Sequence, residues 1–317
     1  MLVSMWALVI GDSGQDGQIL SLRLRSLGLD VLGVSRSRTL VNDHSQEPVY
    51  LSDQKICDEF LSKYEPQVIF HVAAVHGSSN LQETIISQHR QEMYACHVEI
   101  TKNVLRWIEL KSQTSKFHLA LSSQMYSPKY TDFLVDELTE TNPSNYYGQT
   151  KVEAWALVKL FREQHSLSAN ASILFNHASI FSKNDFVFSF LAEQFSHVIN
   201  KESDQIYLRD PWASIDVSWA FEVCDAMLSS IRIAPQEDFV FASGTNRELN
   251  EIVQNTLLRF GLNKSCLTWD SKMQTSGLTS KNSLIANPHK AKSLLGWNTE
   301  LSPEDILETM VLHKLSK

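Results

Sequence analysis

The sequence predicts an α/β fold, a doubly wound parallel sheet followed by a smaller C-terminal lobe, and three observations predict it. The first is Ala7-Leu8-Val9-Ile10-Gly11-Asp12-Ser13-Gly14-Gln15-Asp16-Gly17, an apolar strand running into a glycine-rich turn. The second is the recurrence of short, almost continuously apolar runs separated by helical patterns, as strands buried on both faces require. The third is size: 317 residues with 43% hydrophobic content can build one large domain or two modest ones.

The first strand ends at Gly11. After the turn, Ile19, Leu20, Leu22, Leu24 and Leu27 follow helical spacing, which completes the strand-turn-helix form that holds a pyrophosphate. Glycines suit that turn because a side chain would keep the ligand from the backbone N–H groups and the positive helix end. The spacing is G-x-x-G-x-x-G, so the G-x-G-x-x-G dinucleotide fingerprint is met only approximately, and alone the loop reads equally as an ordinary tight turn. Residues 30–36 read as the second strand, and residues 68–74, 117–123 and 171–177 as later ones. Helical patterns cover 98–110 and 147–165. In such a sheet ligands bind beyond the carboxyl ends of the strands.

From about residue 178 the alternation breaks down. One further strand is expected at 239–242, a helix over 249–260 ended by Gly261, and a last helix after Ser302-Pro303, where Ser is a good N-cap and Pro suits the first turn. The expected division is a Rossmann-like domain over 1–177 and a lobe over 178–317, with some segments of the latter returning to the main sheet. No internal repeat or low-complexity linker interrupts either part.

With 28 Lys and Arg against 36 Asp and Glu, the net charge of -8 argues against a nucleic-acid binder, which concentrates basic residues on one face. The first six residues carry no basic segment, so they do not resemble a signal peptide, and no apolar stretch reaches the length of a membrane span. Cys57, Cys96, Cys224 and Cys266 are scattered without a C-x-x-C pair. A reduced cytoplasmic protein is expected. Eleven histidines include no H-E-x-x-H and no Cys/His cluster, so no metal is expected.

Tyr147-Gly148-Gln149-Thr150-Lys151 places a phenol and an ammonium on one helical face. The Lys cation is expected to lower the phenol's pKa, so that Tyr147 exchanges a proton with a sugar hydroxyl or carbonyl near neutral pH. Such a pair also arises by chance on many solvated helices. Ser122 and Ser123 stand at the end of an apolar strand, where a hydroxyl can bond the same substrate oxygen. A nucleotide loop, a strand-end Ser and a Tyr-Lys helix occur in the order a hydride-transfer enzyme requires. The histidine in the third strand, His71, reads as structural, and Phe186, Phe188, Phe190 and Phe195 as packed core or lobe contacts.

On these residues the chain resembles the extended short-chain dehydrogenase/reductase family, and within it the GDP-mannose 4,6-dehydratases and related nucleotide-sugar 4-keto reductases. The resemblance runs through Gly14-Gln15-Asp16-Gly17, Ala73-Ala74, Ser122-Ser123-Gln124-Met125-Tyr126, Tyr147 to Lys151, Leu174-Phe175-Asn176-His177, and Asn287 to Lys292 with Leu295-Gly296-Trp297. It implies Ser122 as the catalytic Ser/Thr, Tyr147 as acid/base and Lys151 as holder of the nicotinamide ribose. The cofactor set it implies is Gly11, Ser13, Gly14, Gln15, Asp16, Gly17, Arg36, Asp53, Ala73, Ala74, Val75, Tyr147, Lys151 and His177. The C-terminal lobe becomes substrate-binding, and His76, Ser123, Gln124, Asn176 and Arg209 are the residues expected near a nucleotide sugar, GDP-linked by preference. Arg36 ends the second strand where an NAD enzyme would carry an acid, so NADP is the expected cofactor, with NAD as the alternative and a solvated loop Arg as the bland reading. A homodimer or larger homo-oligomer packed through the long helices is implied as well.

The chain departs from this pattern at several points. Gln124 stands where the dehydratases have the Glu that removes the C5 proton, and a neutral amide cannot be that base. His76 offers a substitute, though a hydrogen-bonded loop histidine is the favoured reading. Ile215 replaces an Arg that meets the nucleotide, while Asp216 is retained and Arg209 is nearby in sequence. Ser182 replaces an Arg of the cofactor site, and residues 75–90 are longer and more polar than usual. The expected activity is therefore NADP-dependent hydride transfer at C4 of a GDP-hexose, of 4-keto reductase type. The alternatives are a 4,6-dehydratase with a substitute base and a catalytically weakened NADP-binding member.

Overall fold

The computed structural model describes residues 5–75, 83–126, 134–269 and 284–317. The chain forms two compact units, the first comprising Met1–Ser127, Glu137–Leu174 and Cys224–Val240, the second Pro128–Asp136, Phe175–Val223 and Phe241–Lys317.

The first unit begins with β1 (Trp6–Ile10), in which Ala7, Leu8 and Val9 are wholly buried. It continues through α1 (Gln15–Ser26), β2 (Asp30–Val34), β3 (Thr39–Val41), β4 (His44–Gln46), α2 (Gln54–Tyr64) and β5 (Val68–His71). Then come α3 (Glu83–Tyr94), a π-helical turn over Ala95–Glu99, α4 (Ile100–Lys111) and β6 (Lys116–Ala120). After β7 (Leu134–Val135), which belongs to the second unit, the chain returns in α5 (Tyr146–His165) and β8 (Ala169–Leu174). Later elements are β9 (Asn176–Ala178), α6 (Val187–Ile199), β10 (Ile206–Leu208), β11 (Ser214–Ile215), β12 (Val217–Trp219), α7 (Ala220–Ile233) and β13 (Phe239–Phe241). The last are β14 (Arg247–Glu248), α8 (Leu249–Arg259), β15 (Leu267–Trp269), β16 (Ile285–Ala286), α9 (His289–Leu295) and α10 (Pro303–Leu315).

The main sheet has eight strands in the order β13-β8-β6-β5-β1-β2-β3-β4. The pairings from β8 to β2 are parallel, as their apolar runs predict. The sheet is not parallel throughout, however: β3 and β4 add an antiparallel hairpin at the β2 edge. Its two-residue turn is Asn42-Asp43, both at positive φ (46° and 69°), a conformation short polar side chains tolerate and one that matches strand twist. The strands also stop short of the expected ends, at 34, 71, 120 and 174, because the following residues leave the ladder and turn over the carboxyl edge. Residues 176–178 pair instead with β12 in a separate two-stranded sheet.

The helix expected over 98–110 is the end of a longer one, α3 running through the π turn into α4. His97 lies within this π turn and is fully buried. In the second unit α6, α8 and α10 enclose a core of Phe188, Leu191, Phe195, Ile252, Ile306 and Val311. Phe186, by contrast, is half exposed. Ser302 and Asp305 form a reciprocal cap at the start of α10, with Pro303 in its first turn, and Gly261 follows α8 at φ +66°. Among the described residues no helix is long and apolar enough to cross a membrane, and no group of three or more His, Cys, Asp or Glu is placed to hold a metal.

Candidate active site

The glycine loop joins β1 to α1 beneath the carboxyl edge of the sheet. Gly11 has φ +101°, and a Cβ there would lie 2.6 Å from the Ala73 nitrogen, so only glycine lets the loop approach the segment after β5. A Cβ on Gly17 would stand 2.0 Å from the Gly11 carbonyl oxygen, which requires glycine for the close approach of α1 to the turn. The Gly14 N–H donates to the Gly11 carbonyl (3.0 Å), and no side chain caps the start of α1. The N-terminus of a helix above a glycine turn suits a pyrophosphate. Gln15 bonds Asp16 (3.2 Å), and the Asp16 charge reaches Tyr147 and Lys151.

Ser122, Tyr147 and Lys151 are brought together. Ser122 leaves the sheet just after β6, and its hydroxyl bonds the Tyr147 phenol and accepts from the Gln124 N–H (3.2 Å). Tyr147 lies in the first turn of α5, which Asn145 caps through the Gly148 N–H (2.8 Å). Lys151 is buried and donates to the Ala120 carbonyl at 2.8 Å. The expectation that Lys151 lowers the phenol's pKa is corrected here. Burial raises it well above the ordinary value and the Ser122 hydrogen bond opposes that rise, while the ammonium is directed at Ala120 and stands 5.8 Å from the ring centre. Burial in turn brings the Lys151 ammonium down to about 8, against the partial support of Cys96 and Asp16.

Three residues that the sequence patterns did not single out complete this arrangement. The Val75 N–H donates to His97 Nε2 (3.2 Å), His97 Nδ1 pairs with Thr150 Oγ1 (2.8 Å), and Thr150 donates to the Tyr147 carbonyl (2.9 Å). This chain ties the segment after β5 to the helix carrying Tyr147, and the His97 ring meets the Tyr147 ring edge-on at 5.3 Å. Gly148 is the third: a Cβ there would lie 2.3 Å from the Gln124 carbonyl oxygen. The Tyr-Gly pair was its only sequence signal; His97 had none outside the π turn. Farther along α5, Trp155 and Arg162 both bond the buried Asp238 carboxylate (2.8 to 3.0 Å), which also accepts from the Ala171 N–H of β8.

The remaining predicted residues separate. Gln124 is exposed, and its carbonyl oxygen accepts from Asn145 (3.0 Å), while Ser123 is partly exposed in the same turn. Ala73 and Ala74 are open to solvent in part, and Val75 is buried. Ser13 is exposed in the loop, and its carbonyl accepts from Gln18. Arg36 is largely exposed, with Glu92 3.9 Å away. Asp53 caps α2 by accepting from the Ile56 N–H (3.0 Å), so its carboxylate has a local task. His76 lies outside the described residues. His71 Nε2 donates to the Cys96 carbonyl (2.8 Å), and burial drives its pKa to about 3, which keeps it neutral. Asn176, His177 and Arg209 belong to the second unit. There Asn176 bonds the Asp216 carbonyl (3.2 Å), His177 bonds the Phe175 carbonyl (2.8 Å), and the Arg209 guanidinium lies over Phe190 at 5.0 Å. The retained Asp216 accepts from the Ser243 and Gly244 N–H groups, 2.8 Å each, which explains its place without a ligand. Ser182 likewise closes a local turn through the Ser179 N–H.

The loop glycines, the helix start they lead into, and the half-buried Ser122 beside the buried Tyr147 and Lys151 fit a nicotinamide dinucleotide. Comparison with known proteins points the same way. The family described as GDP-mannose 4,6 dehydratase matches residues 8–310. A relative from Caenorhabditis elegans, GDP-mannose 4,6 dehydratase 2, is 25% identical over 96% of this chain and 87% of its own length. Among solved structures, RMD from Pseudomonas aeruginosa complexed with NADPH superposes with a TM-score of 0.78 at 15% identity, covering 99% of this chain and 100% of that one. The dTDP-glucose 4,6-dehydratase from Bacillus anthracis in complex with NAD gives 0.77 at 15% identity, over 98% and 96%. At such identities these two structures speak for the fold alone.

Proposed function

Since the chain belongs to the GDP-mannose 4,6 dehydratase family, whose members are NAD(P)-dependent nucleotide-sugar enzymes, we propose that it reduces a 4-keto group on a GDP-linked hexose. NADPH, which the Gly11–Gly17 loop, Tyr147 and Lys151 would hold, would supply the hydride for C4. Tyr147 supplies the proton to the C4 oxygen, and its burial keeps the phenol protonated at neutral pH, the state an acid needs. Ser122, already bonded to that phenol, accepts or donates at the same oxygen and fixes its position. Lys151 remains mostly an ammonium at pH 7 and, held on the Ala120 carbonyl, is proposed to hold the nicotinamide ribose. NADP is proposed as the cofactor on the two guanidiniums beyond β2, Arg36 and Arg38. Asn176 and Arg209 are proposed for the sugar-nucleotide side, His177 for the cofactor, and a homodimer packed through the long helices for the assembly.

The observation that carries the reductase assignment is Gln124. It sits in the Ser122 turn, neutral, with its carbonyl oxygen engaged by Asn145. A reduction needs one hydride and one proton, whereas 4,6-dehydration also needs a base for the C5 proton. The test supplies the purified chain with NADPH and a GDP-linked 4-keto-6-deoxyhexose in one arm, and with NADP and GDP-mannose in the other. Oxidation of NADPH in the first arm alone is expected. A 4-keto-6-deoxy product in the second arm at an ordinary enzymatic rate would replace the reductase by a dehydratase with another base. Bound cofactor without hydride exchange in either arm would leave a binding protein.

A further inference from the structure

Asp12 occupies the first variable position of the glycine loop, and its side chain is almost wholly buried at 4% exposure. It packs onto β2: a Cβ on Gly33 would stand 2.8 Å from the Asp12 Cγ and Oδ2, so Gly33 is the space this carboxylate fills. The Ser13 N–H, the Ser35 hydroxyl and the Arg38 guanidinium face it, yet neither oxygen has a partner in hydrogen-bond geometry, and Arg38 is 3.8 Å away. Leaving a buried carboxylate short of hydrogen bonds costs stability, which calls for a compensating role. Its position supplies one. Beyond the carboxyl end of the second strand, an acid next to the adenosine ribose accepts from a 2′-hydroxyl, while a cation there accommodates a 2′-phosphate. This chain has cations at Arg36 and Arg38 on the surface of that turn and an acid beneath them.

Resting on the dinucleotide reading above, we infer that Asp12 is a specificity-determining residue whose buried charge bears on the 2′ position of the adenosine ribose and opposes a phosphate there. Arg38 is then shared: it offsets Asp12 in the structure described here and is drawn toward a 2′-phosphate when one is present. Two like charges in a partly desolvated site repel strongly, so removing one of them shows in the ratio of affinities rather than in their common level.

The test measures dissociation constants of NADH and NADPH by the fluorescence of the dinucleotides themselves, for the wild type, Asp12→Asn, Asp12→Ser and Arg38→Ala, with circular dichroism to establish folding. Both Asp12 substitutions are expected to shift the NADPH-to-NADH affinity ratio toward NADPH by about tenfold or more, and Arg38→Ala to shift it the other way. Equal weakening of both dinucleotides, or a ratio held within about twofold, would make Asp12 a structural partner of Arg38 and overturn the inference. A wild-type chain that binds neither dinucleotide would remove the cofactor reading itself and this assignment with it.

Discussion

Tyr147 owes its proton to burial, and the proposed chemistry depends on it. Tyr147→Phe removes one hydroxyl and keeps the ring against His97, so the fold and dinucleotide binding are expected to persist while turnover falls roughly 100-fold to 10,000-fold. Steady-state kinetics beside NADPH binding checks this, and unaltered turnover would dismiss Tyr147 as the acid. The Tyr-x-x-x-Lys spacing and the Ser at a strand end were legible because they are local, i to i+4 and strand-terminal. The electrostatic result was not legible. Spacing puts Lys151 beside the phenol, but the Ala120 carbonyl takes the ammonium and burial sets the phenol's pKa. Asp12 stood in plain view within the loop motif. Its meaning required Gly33 and Arg38, which are more than twenty residues away in sequence.

At the scale of elements, α5 is pressed onto the Ser122 turn at Gly148. Helix propensity alone says that Gly148→Ala stabilises α5 by about 1 kcal/mol. The 2.3 Å approach to the Gln124 backbone says the reverse, since a backbone carbonyl cannot step aside. The expected outcome is a lower melting temperature together with a kcat loss larger than the change in dinucleotide affinity, because the shift separates Ser122 from Tyr147. Melting curves and kinetics on the one variant check both. Long apolar strands and the capped helix α10 followed from the sequence through periodicity and Ser302-Pro303. The β3-β4 hairpin did not, because strands of three residues are too short to carry a period and its Asn42-Asp43 turn was the sole signal. The π turn before α4 escaped for the same reason: one extra residue in a helix leaves the hydrophobic pattern readable on either side.

For the molecule as a whole, two of the fully buried histidines, His71 and His118, couple stability to pH. His118 bonds Asn170 (2.7 Å) and Ser172 (2.9 Å), and burial lowers it to about 4, as it lowers His71 to about 3. Both values lie below the unfolded 6.5, so the unfolded chain binds more protons in this range, and stability is lost as pH falls through 6.5 toward those values. Urea unfolding between pH 6.5 and 5 is expected to show a slope approaching about two protons per chain, and His118→Gln to reduce it by roughly one. A flat profile would mean that these rings are protonated in the fold.

By itself the sequence determined the parallel strand-helix order, the glycine turn between the first strand and helix, and the strand-end Ser122 and the Tyr147-Lys151 helix face. These are written in short-range spacing and residue type, which chain geometry converts directly into strands, turns and helix faces. The tertiary structure decided which charges meet: Asp12 under Arg38, Lys151 on Ala120, and His97 between Val75 and Thr150. Burial and pairing are summed over residues from several strands and helices, and no local pattern carries that sum. The glycine loop read in the sequence as a phosphate cradle or a tight turn, while the fold set Asp12 of that loop against Gly33 beneath Arg38.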